Sequence, residues 1–318
     1  MYSSKVNFVC QTNLVVKNIL AKLLYTTSMK NFNEKNNVNK FLGAVKILTI
    51  QLALILLSLI AIAPNGGALV FCAEKENPLL EETKLTNASK YKMAIVIDDF
   101  GCDRHGVQEM LDLNCRLTCA IMPCLEFSEE DAKNAHAKGH EVILHMPMES
   151  YGRLPEHWYG PLYIKNTDSP EIAKQKLEQG LNSVPYADAV NIHMGTAVCQ
   201  NKNLMQGILE YTKGKNLVFL DSRTIEGSVC KSVGDQVGAN VLERDLFLEV
   251  GGPSYRQATE SLTKAVNICK EKGSAIVIGH VGPVGTNQTA RAIKDFLPIL
   301  SQEGIEVVPL SKLSALAV

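Results

Sequence analysis

The feature that most constrains the fold is a regular alternation, beginning near residue 92, of short apolar runs with segments of helical periodicity. The runs are rich in β-branched residues. They span Met93–Ile97, Leu117–Ile121, Glu141–Leu144, Ala189–Ile192, Leu217–Leu220, Asn240–Leu242, Ala275–Ile278 and Ile305–Val308. Repeated β-α units form parallel sheets, and about seven of them can close on themselves. The pattern therefore predicts an α/β fold, a (β/α) barrel of about seven strands.

Helix signals lie between several of these runs. Ser128–Asp131 has the pattern of a capping box and predicts a helix that ends near Gly139. Asp168–Glu171 predicts another helix start, with a proline near its first turn. A third helix shows one apolar face made of Ala258, Leu262, Ala265 and Cys269.

Charge is distributed unevenly along the chain. The formal net charge is -1, so no global basic surface argues for nucleic-acid binding. Residues 1–73 nevertheless carry +6, because they hold seven Lys and a single acid, Glu34. Ile47–Ala63 then runs for 17 residues without a charge. A Lys-rich flank before such a segment predicts that the C-terminal bulk is exported.

Two interpretations of the apolar segment stay open: an uncleaved signal-anchor, favoured by the long preceding region, or a signal peptide cut near Ala68 or Ala73. We accordingly expect a cytoplasmic leader over 1–46, the anchor or signal peptide over 47–73, a linker over 74–91 and a catalytic domain over 92–318. The domain should lie on the extracytoplasmic side, secreted or held at the membrane by the N-terminal helix.

Polar side chains recur where the predicted strands end. They are Asp98, Asp99, His145, His193, Asp221, Arg244, Asp245 and His280. Because the carboxyl ends of parallel strands meet at one rim, we expect one composite site there. The competing interpretation for Asp98 and Asp99 is a pair of caps for a helix after Gly101.

These residue types fit a catalytic metal site. One carboxylate and two imidazoles, with a position left open, are the ligands of catalytic zinc. Of the adjacent Asp98 and Asp99, one could bind the metal while the other accepts a proton from water. His280, on the same rim, could protonate a leaving amine. No G-x-S-x-G is present, and Gly279–Gly285 lacks the Lys-Ser/Thr of a phosphate loop.

Cysteines contribute little to this prediction. The chain has nine, and Cys115, Cys119 and Cys124 lack C-x-x-C spacing. We expect small buried apolar residues rather than a zinc cluster.

Three motifs resemble the divergent polysaccharide deacetylases, the exported bacterial branch of the carbohydrate esterase 4 (NodB-homology) group. Ile97–Gly101 (IDDFG) is similar to T-F-D-D-G, Gly139–His145 (GHEVILH) to the G-H-E-I-G-N-H before the second motif, and Ile278–His280 (IGH) to L-x-H. The resemblance implies that Asp98 is the base, that Asp99 and His145 bind the metal, and that His280 assists the leaving group.

The second motif departs from the H-[ST]-x-x-H pattern. His145-Met146-Pro147-Met148-Glu149 puts an acid where the second histidine belongs, and resembles the H-x-P-M-E of the divergent branch. Asn191-Ile192-His193-Met194-Gly195 resembles that branch's N-x-H-M-G. We expect His193 to be the third ligand, with Glu149 as its competitor or as a partner that orients an imidazole.

Other residues resemble further signatures of this branch. They lie in Phe219–Thr224 and at Arg244-Asp245. Residues expected to support the ligands or contact substrate are Glu149, Asn191, Asp221, Arg223, Arg244 and Asp245. For the arginines and aspartates a salt-bridge network under the rim stays open. The aromatic-rich stretch Ser150–Asn166 predicts a long loop over the site.

The resemblance implies a hydrolase that binds one divalent metal, with zinc expected. Its reaction would remove N-acetyl or O-acetyl groups from a cell-envelope polysaccharide, peptidoglycan or a related glycan. Two alternatives stay open. One is a non-catalytic envelope protein that keeps the fold and binds glycan or a partner, and the other is a different metal-dependent amidase.

Overall fold

The computed structural model describes residues 89–152 and 154–314. The chain divides into two compact units, and every described residue belongs to Thr83–Val318. The predicted leader, the apolar segment and most of the predicted linker lie outside the described residues. Within the described ranges, no helix combines the length and the apolar character needed to span a bilayer.

The elements alternate as the sequence pattern predicts. The strands are β1 (Tyr91–Phe100), β2 (Thr118–Ile121), β3 (Glu141–Met148), β4 (Ala187–Met194), β5 (Val218–Asp221), β6 (Val241–Glu243), β7 (Leu246–Phe247), β8 (Ser274–His280) and β9 (Ile305–Val307). The α-helices are α1 (Val107–Leu111), α2 (Ser128–Ala137), α3 (Pro170–Ser183), α4 (Lys202–Gly214), α5 (Cys230–Val237), α6 (Tyr255–Lys272), α7 (Gly282–Gln302) and α8 (Ser311–Ser314). Two short 3₁₀ turns occur at Glu156–Trp158 and Val198–Gln200.

All nine strands belong to one parallel sheet. Its order is β6-β5-β4-β3-β2-β1-β8-β7, and β9 pairs with the start of β1. No ladder between β6 and β7 is present in the described part of the chain, so the sheet forms a half-barrel. The predicted (β/α) barrel is confirmed in this form. The strand β7 was not predicted, because two residues are too few to show a period.

Side chains alternate between the two faces of the sheet. The outer face packs against the helices and holds the larger apolar cluster, with Phe100, Leu144 and Phe219 among its members. The inner face holds a smaller cluster without residues from α1–α7, including Val96, Ile143, Leu220 and Ile278. Because successive residues of a strand point to opposite faces, these inner positions fix which later residues point into the barrel mouth.

The inner cluster is closed at the N-terminal end of the strands. Val308, Leu310 and Leu313 pack into it. The buried Glu141 carboxylate accepts hydrogen bonds from the backbone N–H of Leu310 at 2.6 Å and from the Thr118 hydroxyl at 2.6 Å. The opposite, C-terminal rim is thereby left as the accessible end of the barrel.

Two predicted helix starts have different outcomes. At α3 the prediction is confirmed, since Ser169 is the N-cap, accepts from Ile172 N, and Pro170 opens the helix. At α2 the capping box is wrong. Phe127 is the N-cap residue, and the Ser128 hydroxyl instead donates to the Met122 carbonyl at 2.6 Å. The hydroxyl closes the turn that follows β2, so it is not free to cap the helix.

Candidate metal and catalytic site

The strand register brings the predicted site residues to one end of the inner face. Asp98 on β1 pairs with His280 on β8, and His145 on β3 pairs with Asn191 on β4. These positions continue, with a period of two, the inner-face rows of Val96, Ile278 and Ile143. The strands extend beyond their predicted ends, so these polar residues lie in the C-terminal parts of the strands themselves.

A backbone turn lets two adjacent aspartates share the site. Asp99 has φ of 71°, in the left-handed region, which few residues other than glycine, asparagine and aspartate adopt readily. This turn interrupts the β1–β2 register between Ile97 and Phe100. Without it, Asp98 and Asp99 would point to opposite faces of the sheet.

A similar strained turn follows His193. Met194 has φ of 62°, and Gly195, with φ of +75°, donates from its backbone N–H to the Met148 carbonyl at 3.0 Å. A Cβ at Gly195 would lie 2.5 Å from Ile192 Cγ2, so only glycine fits. Left-handed backbone conformations therefore occur at Asp99 and directly after His193, as is common at functional sites.

Three side chains converge at the centre of the site. Asp99 Oδ1 lies 3.3 Å from His145 Nε2 and 3.1 Å from His193 Nδ1. The two ring nitrogens are 3.2 Å apart. Asp99 Oδ1 is buried and has no hydrogen-bond donor. The three atoms thus form a nearly equilateral triangle around a common point.

Hydrogen bonds on the far side of each ring fix its tautomer. Asn191 Nδ2 donates to Asp98 Oδ1 at 2.7 Å, which turns Asn191 Oδ1 toward His145 Nδ1 at 2.8 Å. His193 Nε2 lies 3.1 Å from the Trp158 carbonyl oxygen, which can only accept. Each ring therefore carries its proton on the outer nitrogen and turns a lone pair toward Asp99.

This arrangement fits a divalent metal ion. Three acceptors face one another with no donor between them, which is costly unless a cation or a proton lies there. Ligands held ~2.0–2.1 Å from a tetrahedral ion are about 3.3–3.4 Å apart, close to the separations of these atoms. The outer hydrogen bonds to Asn191 and to Trp158 are of the kind that orients metal-binding histidines.

Glu149 lies outside this triangle. Its carboxylate accepts from the backbone N–H of Asn166 at 2.6 Å, and its carbonyl accepts from Ala197 N at 3.1 Å. The group of potential ligands whose atoms converge contains Asp99, His145 and His193 and does not include Glu149. Glu149 thus ties the aromatic loop to the chain that follows β4.

The two aspartates differ in their electrostatics. Burial raises the pKa of Asp98 above its usual value, although His145, His280 and the Asn191 amide act in the opposite direction. Burial also acts to raise the pKa of Asp99, but the adjoining His145 and His193 imidazoles hold it well below its usual range. The carboxylate in the triangle is therefore anionic, while its neighbour is the more basic of the pair.

His280 is held by a buried acid that the sequence analysis did not identify. Glu249 Oε2 lies 3.1 Å from His280 Nδ1, and the Thr289 hydroxyl donates to Glu249 Oε1. Burial tends to lower the pKa of His280, but the bond to Glu249 and the charges of Asp99 and Asp98 raise it to about 9. Glu249 could have been identified as an acidic residue that directly follows the apolar run Leu246–Leu248. That run is too short to be assigned as a strand from the sequence.

Asp221 lies beside a pair of cysteine thiols and is not among the side chains that converge with Asp99. Its oxygens accept from the backbone N–H of Arg223 at 2.8 Å and from the Ser228 hydroxyl at 2.7 Å. Cys199, Cys230 and Asp221 are all buried, with potential ligand atoms within 4.8 Å of one another. Bonding to Cys199 and burial raise the pKa of the Cys230 thiol well above its usual value, consistent with neutral, packed thiols.

The remaining predicted residues divide between the rim and the sheet edge. Arg244 donates to the carbonyls of Ser222 at 2.7 Å and Arg223 at 3.0 Å, and stacks on the Phe247 ring. The Phe247 ring in turn lies 5.7 Å from the His280 ring. Asp245 instead accepts from Lys272 at 2.7 Å and from Ile276 N at 2.8 Å, so it fastens the edge of β8.

The aromatic stretch Ser150–Asn166 contacts the site through its backbone. Tyr159 is buried, stacks on Tyr163 at 4.7 Å, and its hydroxyl accepts from Ser150 N at 3.1 Å. The 3₁₀ turn before it carries the Trp158 carbonyl that holds His193. The loop is therefore a packed wall of the site.

Comparison with known proteins identifies relatives and a shared fold. A family model described as divergent polysaccharide deacetylase matches residues 95–314. The uncharacterized protein YibQ of Escherichia coli (strain K12) is 33% identical over 196 residues, 60% of this chain and 59% of that protein. An uncharacterized protein of Haemophilus influenzae is 29% identical over 192 residues, 60% of this chain and 67% of that protein.

Among solved structures, the uncharacterized protein ATU2773 from Agrobacterium tumefaciens C58 is similar, with a TM-score of 0.66 and 21% identity. The match covers 73% of this chain and 91% of that one, and it supports the fold assignment. The region that the family model matches, residues 95–314, thus corresponds to the half-barrel. The chain spans about 59% of the length of YibQ.

Proposed function

Because the chain belongs to the divergent polysaccharide deacetylase family, we propose that its half-barrel is a metal-dependent hydrolase that removes acetyl groups from a cell-envelope polysaccharide. The observation that carries the proposal is the convergence of ligand atoms of Asp99, His145 and His193, which lie 3.1–3.3 Å from one another. The outer hydrogen bonds of the two rings assign each proton to the outer nitrogen, so an ion between the three atoms satisfies acceptors that would otherwise face one another.

Asp99, His145 and His193 would hold the ion, and zinc is the metal we propose from this donor set. A divalent ion bound there lowers the pKa of a water molecule and polarises the acetyl carbonyl. With three protein ligands, a fourth position is left for water or substrate.

Asp98 is assigned as the general base. It is buried next to the ligand Asp99, and its Oδ2 is 3.7 Å from His145 Nε2, at the edge of the triangle. Burial raises its pKa, which makes the carboxylate a stronger proton acceptor than an exposed aspartate. The Asn191 amide holds Oδ1, which leaves Oδ2 turned to the site.

His280 is assigned as the general acid. It ends β8 in register with Asp98, on the side of β1 that faces away from β3 and β4. With a pKa of about 9 it is protonated at neutral pH, and it can donate to the nitrogen or oxygen that leaves the carbonyl carbon. Glu249 holds Nδ1, which leaves Nε2 for the substrate.

The cellular setting forms part of the same proposal. The Lys-rich leader and the uncharged segment Ile47–Ala63 support export, with the domain secreted or held at the membrane on the extracytoplasmic side. The substrate there would be an acetylated envelope glycan such as peptidoglycan.

The test is acetate release by the zinc-loaded protein from a panel of N-acetylated and O-acetylated envelope glycans. The matched control is Asp98→Asn at equal metal content, because it keeps the shape and one hydrogen-bond acceptor but cannot take up the proton. We expect release by the wild type and a loss of roughly 10²–10⁴-fold in the variant.

Two results would count against the proposal. Equal release by wild type and Asp98→Asn would show that the water is activated by another group. Metal binding and saturable glycan binding without release from any member of the panel would identify a non-catalytic glycan-binding protein that keeps the fold.

A further inference from the structure

Two buried cysteines lie close together in the segments that follow β4 and β5. Cys199 is in the 3₁₀ turn Val198–Gln200, and Cys230 is the first residue of α5. Both are free thiols with fully buried side chains. Their sulfur atoms belong to a group of potential ligand atoms that lie within 4.8 Å of one another. No step of the proposed hydrolysis uses either thiol.

The main chain holds the two cysteines side by side. The Val229 backbone N–H, directly before Cys230, donates to the Cys199 carbonyl at 2.8 Å. Next to this bond, the Gln200 side-chain amide donates to the Glu226 carbonyl at 2.9 Å. The gap between the two sulfur atoms is therefore short enough to close to the ~2.05 Å of a disulfide mainly by rotation of the two side chains.

The third member of the group, Asp221, argues against a second metal site. Its oxygens accept from the Arg223 backbone N–H at 2.8 Å and from the Ser228 hydroxyl at 2.7 Å. Hydrogen bonding with Cys199 and burial hold the pKa of the Cys230 thiol well above its usual value. A metal ion would need thiolates as ligands, whereas these thiols are neutral and the carboxylate already has two donors.

We propose that Cys199 and Cys230 form a structural disulfide bond in the exported protein. The inference rests on the export that is part of the proposed function, and it is independent of the hydrolytic reaction. Disulfides form and persist in oxidising compartments outside the cytoplasm. In the bond-forming step the two thiols lose two protons and two electrons and the Sγ–Sγ bond forms. A disulfide of a thiol oxidoreductase, or oxidised glutathione, is reduced to two thiols in exchange.

The bond has to form while the chain folds. The thiolate is the attacking species in thiol–disulfide exchange, and the buried, neutral thiols of the folded chain offer neither the charge nor the access that this attack needs. Once the bridge is enclosed, the same burial protects it from reductants. Its role is therefore structural and not that of a reversible switch.

The bridge fastens the turn that follows the proposed ligand His193. The Cys199 backbone N–H donates to the Gly195 carbonyl at 2.9 Å, and a Cβ at Gly195 would lie 3.4 Å from Cys199 Sγ. On the other side, the Ser228 hydroxyl accepts from Cys230 N at 3.3 Å and donates to the carboxylate at the end of β5. The disulfide thus joins the segments that leave two neighbouring strands of the sheet.

The effect on stability follows from the length of the loop that the bridge closes. About 30 residues lie between the two cysteines. In the chain-entropy model, closing a loop of this length should raise Tm by about 7–15 °C for a domain of this size. A chain that folds under reducing conditions should lack this increment.

The test compares oxidised and reduced refolding of the full chain. The wild type is unfolded with reductant in mild detergent, then refolded either with a mixture of reduced and oxidised glutathione or with reductant alone. Peptide mapping by mass spectrometry without reduction should find Cys199 linked to Cys230 in the first sample. That sample should melt about 7–15 °C above the second. The double variant Cys199→Ala/Cys230→Ala should melt at one temperature under both conditions.

Cys269→Ala is the matched control. Cys269 is also fully buried, but its thiol donates to the Lys92 carbonyl at 3.4 Å. This variant should keep the full difference in Tm between the two refolding conditions, because a difference within one variant does not include the cavity that the lost thiol leaves.

The redox state in cells tests the exported setting. The full chain is produced in a bacterial host with its own leader, and free thiols are alkylated in acid-quenched cells before the same peptide mapping. We expect the bridge between Cys199 and Cys230 in cells as well as after refolding.

The outcomes separate the inference from the proposed hydrolysis. Unpaired Cys199 and Cys230 after glutathione refolding, or bridges to other cysteines instead, overturn the disulfide and leave the hydrolase standing. A bridge on refolding with both thiols free in cells overturns the exported setting and the inference with it. A second zinc ion per chain that is lost in Cys230→Ala, with both thiols unpaired, overturns the inference in favour of a thiolate metal site. The bridge in both samples without acetate release supports the inference and counts against the hydrolase alone.

Discussion

Replacing Asn191 tests how the site is held together. This fully buried amide bridges Asp98 and His145, with Nδ2 donating to one and Oδ1 accepting from the other. Asn191→Leu keeps a similar volume and removes both hydrogen bonds. His145 then loses the acceptor that fixes its tautomer, and Asp98 loses a donor.

The magnitude can be worked from these two bonds. A hydrogen bond to a charged group contributes about 1.5–3 kcal/mol and a neutral one about 0.5–1.5 kcal/mol. We therefore expect Asn191→Leu to lower the free energy of unfolding of the metal-free protein by about 2–4 kcal/mol. Loss of an outer hydrogen bond to a metal-binding histidine typically weakens metal affinity or activity by roughly 10–100-fold.

Stability is measured by urea unfolding in the presence of a chelator, and zinc affinity by competition with a chromophoric chelator. Thr212→Val serves as the control, because Thr212 is also fully buried and donates to the Leu209 carbonyl within α4. It should cost about 1 kcal/mol of stability and leave zinc affinity unchanged.

Wild-type zinc affinity in a folded Asn191→Leu protein would refute the reasoning, because the tautomer of His145 would then not depend on this bridge. An equal loss of affinity in Thr212→Val would attribute the effect to general destabilisation.

Four further substitutions are predicted to separate the roles in the site. His145→Ala should remove most bound metal, measured by elemental analysis after gel filtration, whereas Glu149→Gln should retain it; the reverse result would make Glu149 the ligand. Asp98→Asn should bind metal normally yet lower kcat by about 10²–10⁴-fold in acetate release, and near-normal turnover would make Asp98 a structural residue. Activity should fall as pH rises into the alkaline range, where His280 loses the proton that its contact with Glu249 stabilises. Glu249→Gln removes a charge that raises the pKa of His280, so the alkaline limb should move to lower pH, and an unmoved limb would assign it to another group.

The convergence of these side chains could be predicted from the sequence because it depends on few quantities. Parallel strands bring their carboxyl ends to one rim, and inner-face positions repeat every two residues. Asp98, His145 and His280 each continue an apolar row that the sequence shows, and His193 follows Asn191 on the same face of β4. Their convergence can be predicted without knowing how the loops are folded.

The sequence did not reveal contacts that depend on very short strands or on main-chain carbonyl groups. Glu249 follows β7, whose two residues show no period. The Trp158 carbonyl holds His193 through the main chain, and no residue type signals this contact. For Asp245 the sequence left a site role and a salt-bridge network open, and the structure places it between two very short strands, where it pairs with Lys272 and accepts from Ile276 N.

Side-chain competition explains the mistaken helix cap. The Ser128 hydroxyl has the residue type and spacing of a cap, but the turn after β2 offers it the Met122 carbonyl. Local propensity predicted the helix itself, while the tertiary turn decided what the hydroxyl binds.

The central claim is that Asp99, His145 and His193 bind one divalent ion. The most direct measurement is anomalous diffraction at the zinc edge from crystals of the zinc-loaded protein. The account predicts a single peak with Asp99 Oδ1, His145 Nε2 and His193 Nδ1 each about 2.0–2.2 Å away, and with Glu149 uncoordinated. A peak bound by Glu149 with His193 turned away, or a folded protein with no peak under saturating zinc, would contradict it.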